Sequence, residues 1–259
     1  MPARYPAALR TILRAPASLR PLLLQPSGRA PYHSHEHPDP LPYRGVESTI
    51  LSFALAHVPT HGFTHHALVL GTKDAGYLDV STNLFPEGPF ALVKYHLVTQ
   101  RLGLKDRVQF LDQKEQKMGG GGVGRKVRAL MLGRLRGNAD AGVLGRWQEA
   151  LGIMSLAENV PQSVRELWLL SDEIWFLAGD TGMDGSWYTK RASLAAVYAA
   201  TEVFQTADQS TEFRDTEEFM DRRLQEVKTV GGLVSGTLEW TGFQAGAMVN
   251  LLRSKGLRI

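Results

Sequence analysis

Apolar residues recur every three or four positions through most of this chain, and runs of strict apolar–polar alternation are missing, so the pattern predicts helices and no sheet. The stretch ILSFALAHVPT carries one apolar stripe and predicts a helix. Gly62-Phe63-Thr64 then opens a second short helix, Asp74-Ala75-Gly76 marks a turn, and a third short element follows. Leu84 to Leu92 (LFPEGPFAL) leads into a fourth helix. Further on, Leu130–Leu135 and Trp147–Leu156 suggest two more. Val164, Leu167, Trp168, Ile174, Trp175 and Ala178 share one helical face with Ser171, between a start at Asn159 and Pro161 and a stop at Gly179. Leu194, Val197, Tyr198, Thr201 and Phe204 mark another stripe. Asp215 to Glu226 reads as an ordinary charged helix surface, with Glu218 and Arg222 paired four residues apart. The chain is therefore expected to be all-α, with about nine or ten helices.

Charge changes that picture in two places. The net charge is +3, but residues 1–30 hold five arginines and no acid, leaving 24 basic and 26 acidic residues in the rest. An Arg-rich, acid-free, amphipathic leader has the marks of a mitochondrial transit peptide, a solvated basic tail being the other reading. Residues 31–43 are expected to form an extended linker, 44–101 a helix-turn-helix-like region, 102–237 a helical ligand-binding bundle and 238–259 an amphipathic C-terminal helix. The second place is Glu47 to Leu97, where Lys73 and Lys94 face Glu47, Asp74, Asp79 and Glu87. A protein that reads duplex DNA neutralises several phosphates, and this segment has too few cations to do so.

Familiar catalytic chemistry finds no constellation. With no cysteine, thiolate nucleophiles, disulfides and Cys-based metal sites are excluded. Gly119, Gly121 and Gly124 satisfy G-x-G-x-x-G, but no strand precedes them and Arg125-Lys126 follows, so the run is a flexible link. All eight histidines lie between His33 and His96. His33, His35 and His37 alternate in the expected linker, and no H-E-x-x-H or paired Glu-x-x-His occurs. A G-x-S-x-G elbow is absent as well.

Two segments stand out instead. Trp175 to Asp180 runs through a Gly-rich turn to Trp187-Tyr188-Thr189-Lys190-Arg191. A Trp-Tyr pair beside Lys-Arg at a helix start suits a binding hot spot, and equally suits a core cap with solvated cations. Near the C-terminus, Trp240, Phe243, Ala247, Met248 and Leu251 share a face, with Arg253, Lys255 and Arg258 beyond them. That arrangement fits a helix lying in a membrane interface, or a bundle helix packed closely at Gly242 and Gly246.

The order of elements in 45–101 resembles the N-terminal domain of TetR-type regulators. Together with ILSFALAHVPTHGFTHHAL, LDVSTNLFPEGPFALVKYH, DEIWFLAGD and SWYTKRASLAAVY, the chain resembles the mitochondrial ubiquinone-biosynthesis accessory proteins of TetR-like fold over residues 45–259. The resemblance implies a TetR-like helical bundle with a degenerate helix-turn-helix, and a non-enzymatic, homodimeric protein peripheral to the matrix face of the inner membrane. Such a protein would need no cofactor and would bind an isoprenoid lipid or quinone precursor. Its partners would be the di-iron demethoxyubiquinone hydroxylase, other proteins of the ubiquinone-synthesis complex and membrane lipids, with no nucleic acid. By that resemblance Met154, Trp168, Trp175 and Tyr198 would line the lipid pocket. Asp184, Trp187, Tyr188 and Arg191 would face the hydroxylase, and Trp240, Phe243, Met248 and Leu251 the membrane. The rival readings are a ligand-responsive DNA-binding regulator and a lipid-modifying enzyme with a perturbed acid or histidine at its pocket.

Overall fold

A computed structural model describes Tyr43 and residues 45–108, 122–180 and 187–233, with side chains to 229. Among these residues the secondary structure is helical, and no strand occurs. The helices are α1 (Gly45–His61), α2 (His65–Asp74), α3 (Pro89–Leu102), the single turn α4 (Leu104–Arg107), α5 (Val123–Asp140), α6 (Trp147–Met154), α7 (Val160–Leu177), α8 (Trp187–Gln205) and α9 (Arg214–Leu233). Short 3-10 turns at Asp79–Leu84, Leu144–Arg146 and Thr211–Phe213 lie between them. The transit-like leader and the C-terminal stripe of Trp240, Phe243, Met248 and Leu251 lie outside the described residues, as do Gly119 and Gly121 of the glycine run, whereas Gly122 precedes α5 and Gly124 lies in its first turn, a correction to the flexible link expected there.

Local chemistry accounts for the early boundaries. Gly62 ends α1 at φ +69°, a conformation that costs a residue without Cβ little. Thr64 then caps α2, its hydroxyl accepting from the Ala67 amide at 3.3 Å. The turn is also held from outside, because Glu149 of α6 accepts from the Phe63 amide and Arg146 donates to the Thr60 carbonyl. Tyr43, the last residue of the expected linker, is packed and not free. Its ring meets Tyr95 edge-on at 5.5 Å, and burial pushes its phenol well above the usual range.

Two apolar clusters form the core. The first joins Ile50, Leu51 and Ala54 of α1, Leu68 of α2 and Phe90 and Leu92 of α3, and Trp147 and Ala150 of α6 complete it. Residues beyond 101 thus belong to the packing of the N-terminal helices. The second cluster gathers Leu130 and Leu135 of α5, Ile174 of α7, Leu194 and Tyr198 of α8 and Met220 of α9. Val164, Trp168 and Phe204 of the expected stripes stay out of it. Val164 is 58% exposed, and Phe204 stacks on Phe219 at the edge with ring centroids 4.6 Å apart.

The charged face of α9 also differs from the sequence expectation. Glu218 pairs back with Arg214, while Asp221 and Glu217 reach across to Arg128 of α5. Arg128 donates to Asp221 through Nε at 2.6 Å and Nη2 at 2.8 Å, the two-pronged geometry that suits guanidinium and carboxylate. One side of this helix is therefore a docking face, a role that pairing within the helix could not reveal.

Backbones approach closely at the crossing of α1 and α2. A Cβ on Gly71 would sit 2.3 Å from the Ala54 Cα and N, where no side chain can move aside. Gly71→Val is expected to destabilise the protein by about 3 kcal/mol or to prevent folding, read by urea denaturation. Wild-type stability in that variant would refute this packing of α1 on α2.

Candidate functional site: an aromatic platform and a buried polar layer

The exposed candidate is built where α7 runs beside the start of α8. Trp168 of α7 stacks on Tyr188 at 6.1 Å with planes 30° apart, and meets Trp187 edge-on at 5.9 Å. Trp187 and Tyr188 are themselves 4.7 Å apart and nearly perpendicular. Tyr188 is 60% exposed while Trp168 and Trp187 are half-buried, so the platform offers chiefly the Tyr188 ring to solvent. Val160 and Val164, also exposed, precede Trp168 at four-residue steps and extend the apolar strip along α7.

Arg191 does not take the surface role expected of it. It is 3% exposed, and its Nε donates to Asp172 of α7, itself buried. Its guanidinium lies 3.8 Å from the centroid of the Trp187 ring, and Nη1 donates to the Trp187 carbonyl. Helical spacing explains this placement, since a residue four beyond Trp187 lies beneath it and against α7. Arg191 therefore positions the platform from below. Lys190 salt-bridges Asp180 at 3.0 Å, and its carbonyl accepts from the Trp175 indole. Asp184 lies outside the described residues.

The four expected pocket residues fall in three places. Met154 packs on the first apolar cluster, Trp168 belongs to the aromatic platform, and Trp175, held against Lys190, packs on the second cluster, which contains Tyr198. Tyr198 lies in the second cluster, its hydroxyl donating to Glu202 at 2.9 Å, and burial raises its pKa. The helix-turn-helix-like segment shows the electrostatics expected of it. Lys73 is paired with Asp79 and Lys94 with Glu87, and Leu78 and Val80 are exposed at the 3-10 turn.

A second group of polar residues, which pattern reading missed, is fully enclosed. Asn138 of α5 lies between His96 of α3 at 2.9 Å, Arg134 at 2.7 Å and Glu202 of α8 at 3.2 Å. All four are buried, and Trp147 closes on His96 with ring centroids 5.1 Å apart. The layer lies where α3, carrying part of the first cluster, meets α5 and α8 of the second. The signal was available: Arg134 and Asn138 sit four apart on the face of α5 that also carries Leu130, Met131 and Leu135. Burial, reinforced by the nearby Arg134 charge, lowers the His96 pKa from 6.5 to about 3, and its bond to Asn138 only partly opposes this. Among the described residues no group of three or more acids and histidines is placed to hold a metal ion.

The described residues thus define an all-α bundle with a braced aromatic platform outside and a polar layer inside. A family model described as COQ9 matches residues 160–231, the span that includes the platform. A fission-yeast (Schizosaccharomyces pombe) protein named mitochondrial ubiquinone biosynthesis protein coq9 is 37% identical over 230 residues, covering 89% of this chain and 88% of that protein. The Xenopus laevis protein of the same kind, COQ9-A, is 35% identical over 73% of this chain and 60% of its own length. Human COQ9 is 32% identical over 72% of this chain and 58% of its own length, so the chain spans about three fifths of these animal relatives. The chain belongs to the COQ9 family.

The neutral, buried His96 makes stability depend on pH. Its folded pKa lies below its unfolded value, so the unfolded state binds the extra proton and stability falls as pH drops below 6.5. Between pH 7.5 and 5 the unfolding free energy is expected to fall by about 2 kcal/mol, and His96→Gln to flatten that slope. Equal slopes in denaturation curves of the two proteins would remove His96 as the cause.

Proposed function

We propose that this chain acts in mitochondrial ubiquinone biosynthesis as a non-enzymatic lipid-binding protein of TetR-like architecture. In this reading it binds an isoprenoid quinone precursor at the matrix face of the inner membrane and presents it to the di-iron demethoxyubiquinone hydroxylase. The observation that carries the reading, beside membership of the family, is the platform of Trp168, Trp187 and Tyr188. An exposed tyrosine packed on two half-buried tryptophans and braced on a buried ion pair is suited to docking a protein partner. Homodimerisation and membrane contact through Trp240, Phe243, Met248 and Leu251 belong to the same proposal.

The physics gives such a protein work to do. Each CH₂ of a polyprenyl tail exposed to water costs about 0.8 kcal/mol, which keeps the lipid in the bilayer and away from an unaided enzyme. A helical protein docked on the membrane shields ring and tail during transfer, and the oxidation chemistry is left to the hydroxylase.

Two measurements test the proposal. Mass spectrometry of lipids extracted from the purified protein is expected to find an isoprenoid lipid, and its absence from membrane-expressed, detergent-free preparations would overturn the lipid reading. Tyr188→Ala removes an exposed ring without touching the Asp172–Arg191 brace. It is expected to weaken hydroxylase binding by about 2 kcal/mol at unchanged melting temperature. Undiminished pull-down of the hydroxylase would reassign the platform.

A further inference from the structure

The turn between α2 and α3 holds apolar side chains out of the core. Leu78 is 77% exposed and Val80 65%, and Tyr77 and Leu84 are exposed beside them in the chain. The 3-10 turn Asp79–Leu84 has no buried residue. Hydrogen bonds nevertheless fix its path. The Tyr77 amide donates to the Thr72 carbonyl at 3.0 Å, the Ser81 amide to Leu78 at 2.8 Å and the Phe85 amide to Thr82 at 3.0 Å. Thr82 Oγ1 donates to the Asp79 carbonyl, and Phe85 is buried at the far end. A single exposed leucine is ordinary on a protein surface. Large apolar side chains grouped on one fixed turn form a patch, and such patches mark contact faces.

Charge restricts what can cover this patch. Between Gly45 and Phe90 the sole Lys or Arg is Lys73, against Glu47, Asp74, Asp79 and Glu87, a net charge of −3 with histidine neutral. Lys73 is engaged by Asp79 at 3.4 Å, and both side chains are more than half exposed. Asp74, at the end of α2, lies 2.6 Å from the His57 imidazole. A surface rich in phosphate, whether duplex nucleic acid or an anionic bilayer, is repelled by such a field. The turn has no strand edge, so an extended peptide finds no ladder to join. An amphipathic helix can lay apolar side chains over Leu78, Val80 and Leu84 and set lysine or arginine against Asp74 and Asp79.

We propose that the turn at residues 77–84 is a docking face for a basic amphipathic helix of a protein partner. The face is built from other elements than the aromatic platform, and the inference rests neither on the platform nor on lipid binding. Apolar contact at Leu78 and Val80 supplies the affinity, and the two aspartates select the sign of charge on the partner.

The test titrates the full chain with three fluorescent helical peptides, read by anisotropy. One has a leucine face and a lysine face, the second carries glutamate for each lysine, and the third carries glutamine for each leucine. The leucine–lysine peptide is expected to bind about tenfold more tightly than either of the others. Leu78→Ser and Val80→Ser, each at an exposed position, should each weaken it about tenfold at unchanged melting temperature. Asp74→Asn combined with Asp79→Asn should bring the lysine and glutamate peptides together, and Tyr188→Ala should leave binding as it is. Equal binding of the glutamate peptide, or wild-type binding in both serine variants, overturns the proposal, as does loss of binding in Tyr188→Ala. Two further measurements would give the face to another occupant and overturn it as well. A dimer that Leu78→Ser dissociates in sedimentation assigns the face to a second copy of the chain. Release of the same variant from phosphatidylcholine–cardiolipin vesicles that hold the wild type assigns it to a lipid surface.

Discussion

The buried bonds around Asn138 are the constraint on which the architecture turns. Apolar packing is non-directional, and two clusters of leucine, valine and aromatic side chains could slide past one another at little cost. A polar layer cannot, because each donor must meet its acceptor at hydrogen-bond distance or pay desolvation without return. His96, Arg134 and Glu202 converge on Asn138 from α3, α5 and α8, so three helices are held at one register. The two clusters are positioned around that point.

The platform depends on the same kind of restraint nearer the surface. Exposed tryptophan and tyrosine would ordinarily seek burial or move among rotamers. Here the Asp172–Arg191 pair ties α7 to α8, and the guanidinium supports the Trp187 ring from beneath. Arg128, gripping Asp221 and Glu217, does the equivalent for α5 and α9. Arginine is suited to each position because its planar fork can bond a carboxylate and stack on a ring at once. The result is a rigid exterior surface whose support is almost entirely hidden.

The segment 45–102 takes its order of short helices from local turns, and its two lysines are paired. Gly62, Thr64 and the turn near Gly76 establish the sequence of short helices, while the two lysines are neutralised by Asp79 and Glu87. Glu149 and Arg146 further bind the turn between α1 and α2 to the first cluster. The shortage of cations in this segment is legible in the sequence, because charge along a segment does not depend on its contacts.

Helix periods, caps and breakers are local, so the amino-acid sequence alone determined the helical class, the boundaries near Gly62, Asn159 and Gly179, and the prominence of Trp187 and Tyr188. Helical spacing also pointed to the stripes of α7 and α8, but not to how much of each would be covered: Val164 stays in water while Ser171 is buried. Contacts between residues far apart in the chain were decided only in three dimensions. Arg191 turned inward because Asp172 waits on the neighbouring helix, and the Tyr198 hydroxyl found Glu202 within the core. Glu217 and Asp221, ordinary surface acids by pattern, became a clasp for Arg128. The polar layer was the least legible part: Arg134 and Asn138 share the apolar face of α5, but only packing shows that they meet His96 and Glu202 there. Periodicity reports which face a residue occupies, and only tertiary structure determines what that face meets.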